Sequence, residues 1–195
     1  MAEVRVIREG WWRWIERGVT FDVTCTSTYI VDGARGIVVD VPNVGEEETF
    51  LKALRDAGVD PAAVDTVVLT HFHPDHVGCL HLFPNAEYVA AGSRWRGARH
   101  AHWKEETLAL TDDVSVVKTP GHTPHDCAVI AKTPQGIVAV AGDLWVRSSS
   151  DPRLVIVNDA ALLEASRKRL IDLSDFIIPG HGPMGPSSEA QWKLP

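Results

Sequence analysis

Along this chain apolar residues come mostly in short runs broken by Gly, Pro and Asp, and only two stretches space them at helical intervals. The β-branched runs predict strands over 4–8, 20–31, 36–41, 66–70, 87–91, 114–118, 126–131, 136–141 and 175–178. Helices are predicted over 46–58 and 159–172. The second sets Leu162, Leu163, Leu170 and Ile171 along one face and "SRKR" (166–169) on the other, read as a solvated face. Strands alternating with helices place the chain in the α/β class. Two stretches share one grammar: "STYIVDGARGIVVD" (27–40) and "CAVIAKTPQGIVAVAGD" (127–143) both run strand, turn, Gly-Ile-Val and a strand ending in Asp. The repetition predicts a duplicated hairpin and two similar halves. No low-complexity stretch or linker interrupts the pattern, so residues 1–195 are read as one domain.

The 195 residues are 45% hydrophobic and 23% charged, an ordinary globular balance with enough apolar side chains for a sizeable core. The start, "MAEVRVIREGWWRW", carries charges throughout, and no apolar run reaches membrane-spanning length. The expectation is therefore a cytoplasmic protein that does not engage a membrane. Cys25, Cys79 and Cys127 have no short spacing, which argues against a disulfide framework or a zinc ribbon and for small buried residues. A formal net charge of −7 argues against a protein coated with nucleic acid, although a local basic patch can still hold an anion.

Chemistry concentrates in "LTHFHPDHVG" (69–78). A single histidine in a loop is most simply a structural residue, but three with an aspartate in six positions make a compact set of imidazole and carboxylate ligands. His71 and His73, two apart, face one side of an extended loop. Asp75 and His76 follow Pro74, which suits the opening of a helix through "HVGCLHLF". Further candidates close other strands in the same position: His122 after "VSVVKTPG", Asp143 after "GIVAVAG" and His181 after "DFIIPG". Loops at strand ends, held by a rigid sheet, are where such sites are built.

"HFHPDH", followed in order by His122, Asp143 and His181, resembles the HxHxDH pattern of the metallo-β-lactamase superfamily, over about Thr20 to Pro183. The resemblance implies an αββα sandwich with a binuclear metal site at one edge of two packed sheets. It implies His71, His73 and His122 on one metal, Asp75, His76 and His181 on the other, Asp143 bridging, and Asp40 as a buried hydrogen-bonding residue behind the ligands. Two divalent ions, zinc first and iron or manganese next, would make a hydroxide available at neutral pH, with Asp75 orienting it. The expected activity is hydrolysis of phosphoesters, phosphodiester or nucleic-acid-like. Lactones, thioesters or β-lactams are the alternative, and a mononuclear iron persulfide dioxygenase is the alternative of another class.

Several branches fit less well. Diiron flavoproteins place glutamate at the position of His73, glyoxalase II relatives append a helical domain, secreted β-lactamases carry an export signal, and the RNA-cleaving members with an inserted domain need more chain between Asp143 and His181. The tail "EASRKRLIDLSDFIIPGHGP" is most similar to the metallo-β-lactamase domain-containing protein 1 group, for which ribonuclease activity is implied.

Substrate contacts are read from weaker signals. "GSRWRGARHAHWKEE" interleaves Arg94, Arg96, Arg99 and Lys104 with Trp95 and Trp103, as an anionic or nucleotide substrate would require, or is a mobile surface loop. His125 either protonates a leaving group or sits on the surface. Trp145 either walls the pocket or packs in the core. "WWRW" (11–14) is either a flap over the site or a subunit contact, and either way its exposed tryptophans point to a homo-oligomer.

Overall fold

A computed structural model describes residues 1–147 and 157–190. Its strands are β1 (Glu3–Arg8), β2 (Trp11–Glu16), β3 (Thr20–Thr24), β4 (Ser27–Asp32), β5 (Arg35–Val39), β6 (Thr66–Val68), β7 (Glu87–Ala90), β8 (Ser93–Arg96) and β9 (Arg99–His102). They continue as β10 (Thr107–Ala109), β11 (Val114–Lys118), β12 (Cys127–Thr133), β13 (Gly136–Val140), β14 (Phe176–Ile178) and β15 (Gly185–Pro186). The helices are α1 (Glu47–Asp56), the single turn α2 (Pro74–Val77) and α3 (Ala160–Leu173). One sheet runs β1-β4-β5-β6-β7-β8-β9 and a second β10-β11-β12-β13-β14-β15, while β2 and β3 pair as a separate hairpin.

The layers follow from alternation along strands buried on both faces. Ile37, Val39 and Val68 of the first sheet meet Val116, Val129, Val138 and Ile178 of the second in a central core. The intervening Val38 and Val67 face the other way, onto Phe50 and Leu54 of α1. In the second sheet Val117, Ala128 and Ala139 turn outward onto Leu163 and Leu170 of α3. Each wholly buried Phe or Leu contributes about 1.5–3 kcal/mol, so two per helix suffice to dock α1 and α3. The result is the α/β sandwich expected, helix on sheet on sheet on helix.

The predicted duplication is present in the topology. β4 and β5 form an antiparallel hairpin followed by parallel β6; β12 and β13 form an antiparallel hairpin followed by parallel β14. Cys25, Cys79 and Cys127 are buried free thiols, and among the described residues no helix is long and apolar enough to cross a membrane.

Four sequence expectations are corrected. The single strand over 20–31 is two strands in different sheets, because the chain crosses at Thr26: its N–H donates to Gly180 O (2.6 Å) and its hydroxyl accepts from Gly10 N (3.0 Å). "WWRW" is strand β2, with Trp12 opposite Val23 and Trp14 opposite Phe21. The 93–102 region is the hairpin β8–β9, missed because its half-buried and exposed strands lack a buried alternating face. Finally, the buried face of α3 is Leu163, Ser166, Arg167 and Leu170, while Leu162 is 46% exposed, so part of "SRKR" lies against the protein.

The approach of α3 to the second sheet requires glycine at 121. A Cβ there would sit inside the backbone of Leu163. Gly121→Ala is expected to cost about 1–3 kcal/mol from overpacking, read as a lowered urea midpoint; an unchanged midpoint would contradict the docking described.

Candidate metal centre

The site is assembled where strands of both sheets end. β5 ends at Val39, and Asp40 follows with φ 56°, the one described non-glycine residue at positive φ. Such a conformation costs about 1–3 kcal/mol and persists only where its surroundings hold it. Here they do: Asp40 Oδ1 accepts from Thr70 N (2.8 Å), and Oδ2 accepts from Thr70 Oγ1 (2.7 Å) and stands 2.8 Å from His76 Nδ1.

This network decides which ring nitrogens face inward. The Thr70 hydroxyl spends its one proton on Asp40, so at 3.0 Å it accepts from His71 Nδ1–H, leaving His71 Nε2 with its lone pair toward the centre. A carboxylate oxygen accepts from His76 Nδ1–H, and the Thr24 carbonyl (2.9 Å) accepts from His181 Nδ1–H. Both imidazoles therefore also present Nε2. Partners that lock ligand tautomers in this way are general in metal sites.

Two donor groups result: His71, His73, His122 and Asp143 in one, Asp75, His76 and His181 in the other. In the first, His73 Nδ1 lies 3.0 Å from His71 Nε2 and 3.1 Å from His122 Nε2. Asp143 spans both, with Oδ2 at 3.6 Å from His122 Nε2 and 3.8 Å from His71 Nε2, and Oδ1 at 3.1 Å from His181 Nε2 and 3.3 Å from His76 Nε2. Asp75 Oδ2 completes the second group at 3.5 Å from both His76 Nε2 and His181 Nε2.

The spacing fits metal ions. Four donors about 2.0–2.1 Å from a tetrahedral centre lie about 3.4 Å apart, and the separations above bracket that value. The chemistry of the atoms agrees: Asp75 Oδ2, His76 Nε2, Asp143 Oδ1 and His181 Nε2 are all buried without a hydrogen bond among the described residues. Four such atoms converging on one point is a costly arrangement that a cation relieves. Two imidazoles and two carboxylates, beside three imidazoles and the shared carboxylate, match zinc and other borderline divalent ions.

The buried charges of the two groups act on one another. Burial pulls His76 and His181 down, but the Asp143 carboxylate, joined by Asp40 at His76, overrides it and raises both above the ordinary histidine value. Burial pushes Asp143 up, yet His181 and His76 hold it well below the usual carboxylate range. His71, desolvated and facing other imidazoles, is well below its ordinary value.

Above this floor lies a cavity of about 260 Å³, walled by Trp12, Phe21 and Val23 of the β2–β3 hairpin with Asn43 and Pro74. Trp12 is 9% exposed, stacks near Phe21 (4.5 Å between centroids) and meets the His181 ring edge-on at 6.2 Å. Of "WWRW", Trp12 is the residue that lines this cavity.

All seven ligand candidates and Asp40 converge; the substrate candidates do not. Trp145 is 1% exposed and packs with Leu144 and Leu163 under α3, in the core and outside the cavity lining. Arg94 is held by Glu87 through two hydrogen bonds (2.9 and 2.6 Å), and Arg96 is exposed near the tip of β8–β9; neither lines the cavity. His125 is exposed and also lies outside the lining. Sequence reasoning missed Thr70, whose place beside His71 was a usable signal. It also missed the Thr24 carbonyl, which has none, and Asp126. That carboxylate, pushed up to about 6 by burial, accepts from Thr123 N (2.7 Å) and shapes the turn that carries His122.

Comparison with known proteins agrees with this geometry. The metallo-beta-lactamase superfamily profile matches residues 20–181. Metallo-beta-lactamase domain-containing protein 1 of Xenopus laevis is 36% identical over 164 residues, covering 80% of this chain and 70% of the frog protein. The Homo sapiens protein of that name is 38% identical over 162 residues, covering 78% of this chain and 60% of the human one. In structure, a putative metallo-beta-lactamase from Thermotoga maritima superimposes with a TM-score of 0.74 at 18% identity, over 95% of this chain and 99% of that one.

Asp40→Asn puts an amide where His76 and Thr70 both need an acceptor. Metal affinity is expected to fall about 10- to 100-fold, measured by competition with a chromophoric chelator; unchanged affinity would remove Asp40 from the ligand-orienting role.

Proposed function

We propose that this chain, a metallo-hydrolase that belongs to the metallo-beta-lactamase superfamily, binds two divalent ions, zinc foremost, and hydrolyses a small uncharged carbonyl ester, a lactone or thioester, bearing an apolar group. The observation that carries the substrate class is the cavity wall: Trp12, Phe21, Val23 and Pro74 are apolar, and no Lys or Arg is among the described residues lining it. The basic side chains that pointed the sequence toward phosphoesters stand elsewhere, so among the described residues no Lys or Arg at the cavity would pair with a substrate anion.

Bound there, two divalent ions supply a nucleophile from water at neutral pH and polarise the bond to be cleaved. The residues do the rest. His71, His73 and His122 would hold one ion and Asp75, His76 and His181 the other, with Asp143 placed between the two groups. Asp75 turns Oδ2 to the histidines and its side chain also lines the cavity, so its carboxylate would take a proton from water and return it to the departing oxygen or sulfur. Trp12, Phe21 and Val23 seat the apolar group and exclude bulk water.

A phosphodiester is the second reading, favoured by the paired aromatic faces of Trp12 and Phe21, on which a base would stack. The exposed Ile15 (62%) and Val19 (65%) at the hairpin tip suit the subunit contact expected of a homo-oligomer.

Elemental analysis is expected to give about two divalent ions per chain, and chelation to abolish hydrolysis of lactone and thioester substrates. Faster turnover of phosphodiesters or oligonucleotides on the same panel would install the second reading. Asp143→Asn should lose metal stoichiometry and turnover together; full activity would sink its bridging role. Trp12→Ala should raise KM for apolar substrates about tenfold, the worth of a lost apolar contact, with a smaller change in kcat.

A further inference from the structure

"SRKR" was read in the sequence as a solvated face, and half of it is not solvated. Ser166 and Arg167 are buried at 7% and 8% exposure, and an arginine is almost never placed so deep without partners. Ser166 Oγ donates to Pro120 O (2.8 Å) and Arg169 Nη1 to Lys118 O (3.0 Å). Lys118 closes β11, and Pro120 lies in the segment that leads from it to His122. Arg167 Nε donates to Leu144 O (2.6 Å), one residue past Asp143, and its guanidinium lies 5.6 Å from the centroid of the buried Trp145 ring. The approach to α3 continues the pattern: Asn158 N and Asp159 N both donate to Gly121 O (3.1 and 3.0 Å), next to His122.

We propose that α3 is the element that holds the His122 and Asp143 loops in register, with Ser166, Arg167 and Arg169 as positioning residues; the inference rests on the metal-centre reading above. Its physical basis is that backbone carbonyls past a strand end have no ladder partner and must find donors. Water would satisfy them and leave the loops free to shift. Three donors on one helix satisfy them at fixed separations, and the planar Arg167 fork also braces Trp145, so the loop bearing the shared carboxylate cannot move independently of the loop bearing His122. Lys168 is the internal contrast: it is exposed and pairs along the helix with Asp172 (2.6 Å).

The test compares Arg167→Lys, Ser166→Ala and Lys168→Met with the unmodified chain, by competition titration with zinc and by the absorption spectrum of the cobalt-substituted protein. Arg167→Lys keeps the charge but loses the fork, and is expected to weaken zinc binding about 10- to 100-fold, as outer partners of metal ligands do, and to shift the cobalt bands. Ser166→Ala removes one hydrogen bond and should act in the same direction by less. Lys168→Met should leave affinity and spectrum unchanged. If Arg167→Lys does not fold, Ser166→Ala decides. A lowered thermal midpoint with unaltered zinc affinity and cobalt spectrum would show that α3 is packing only and overturn the proposal. Failure of the unmodified chain to bind zinc or cobalt would instead overturn the metal-centre reading, and this one with it.

Discussion

One buried carboxylate organises the centre without belonging to it. Asp40 sits at positive φ beyond β5, and its two oxygens take the Thr70 amide, the Thr70 hydroxyl and the Nδ1 side of His76. Those contacts couple the ends of two neighbouring strands to the first turn of α2. They also leave His71 and His76 with Nε2 facing inward, which is the form a metal requires. The strain at Asp40, about 1–3 kcal/mol, is offset because the alternative is a buried set of unpaired polar groups.

The duplicated architecture explains why this carboxylate has a counterpart with a different task. Each half carries an antiparallel hairpin that ends in Asp, Asp40 after β5 and Asp143 after β13, followed by a parallel strand that ends near a histidine, His71 after β6 and His181 after β14. Facing sheets bring these ends to one edge of the sandwich. Asp40 turns back toward its own sheet and bonds to Thr70. Asp143, on a short 3-10 turn, reaches across to all four of His71, His76, His122 and His181. Equivalent positions thus face different surroundings: Asp40 accepts from the Thr70 amide and hydroxyl, whereas Asp143 stands among four imidazoles.

Rigidity is unevenly distributed around this edge. Below it, both sheets and α3 pack through wholly buried side chains and through donors aimed at loop carbonyls. Above it, the β2–β3 hairpin contributes Trp12 and Phe21 from a two-stranded unit paired with neither main sheet. A fixed floor with a lightly tethered wall suits an enzyme whose ligand geometry must not change while its substrate enters and leaves.

Four of the candidate ligands, His71, His122, Asp143 and His181, were legible in the sequence because each follows an apolar run and a turn residue, and strand alternation leaves little freedom in where the next side chain stands. The central strands and both long helices were readable from the same pattern, while Asp40, Asp75 and His76 came from the resemblance that "HFHPDH" carries. What could not be read were features decided between segments far apart in sequence. The split at Thr26 depends on Gly180, the tautomer of His181 on the Thr24 carbonyl, and the burial of Arg167 on Leu144. The face that α3 buries was misjudged for the same reason: hydrophobic periodicity counts apolar side chains, whereas the contact at Ser166 and Arg167 is made by donors to backbone carbonyls, which carry no sequence signal. Likewise Arg94 and Arg96 formed a basic cluster on paper, and only the position of β8, two strands from β6 in the first sheet, separated them from the site. Local pattern determines which residues stand at strand ends; only packing of sheets and helices determines which ends meet, because that depends on surfaces buried across the whole chain.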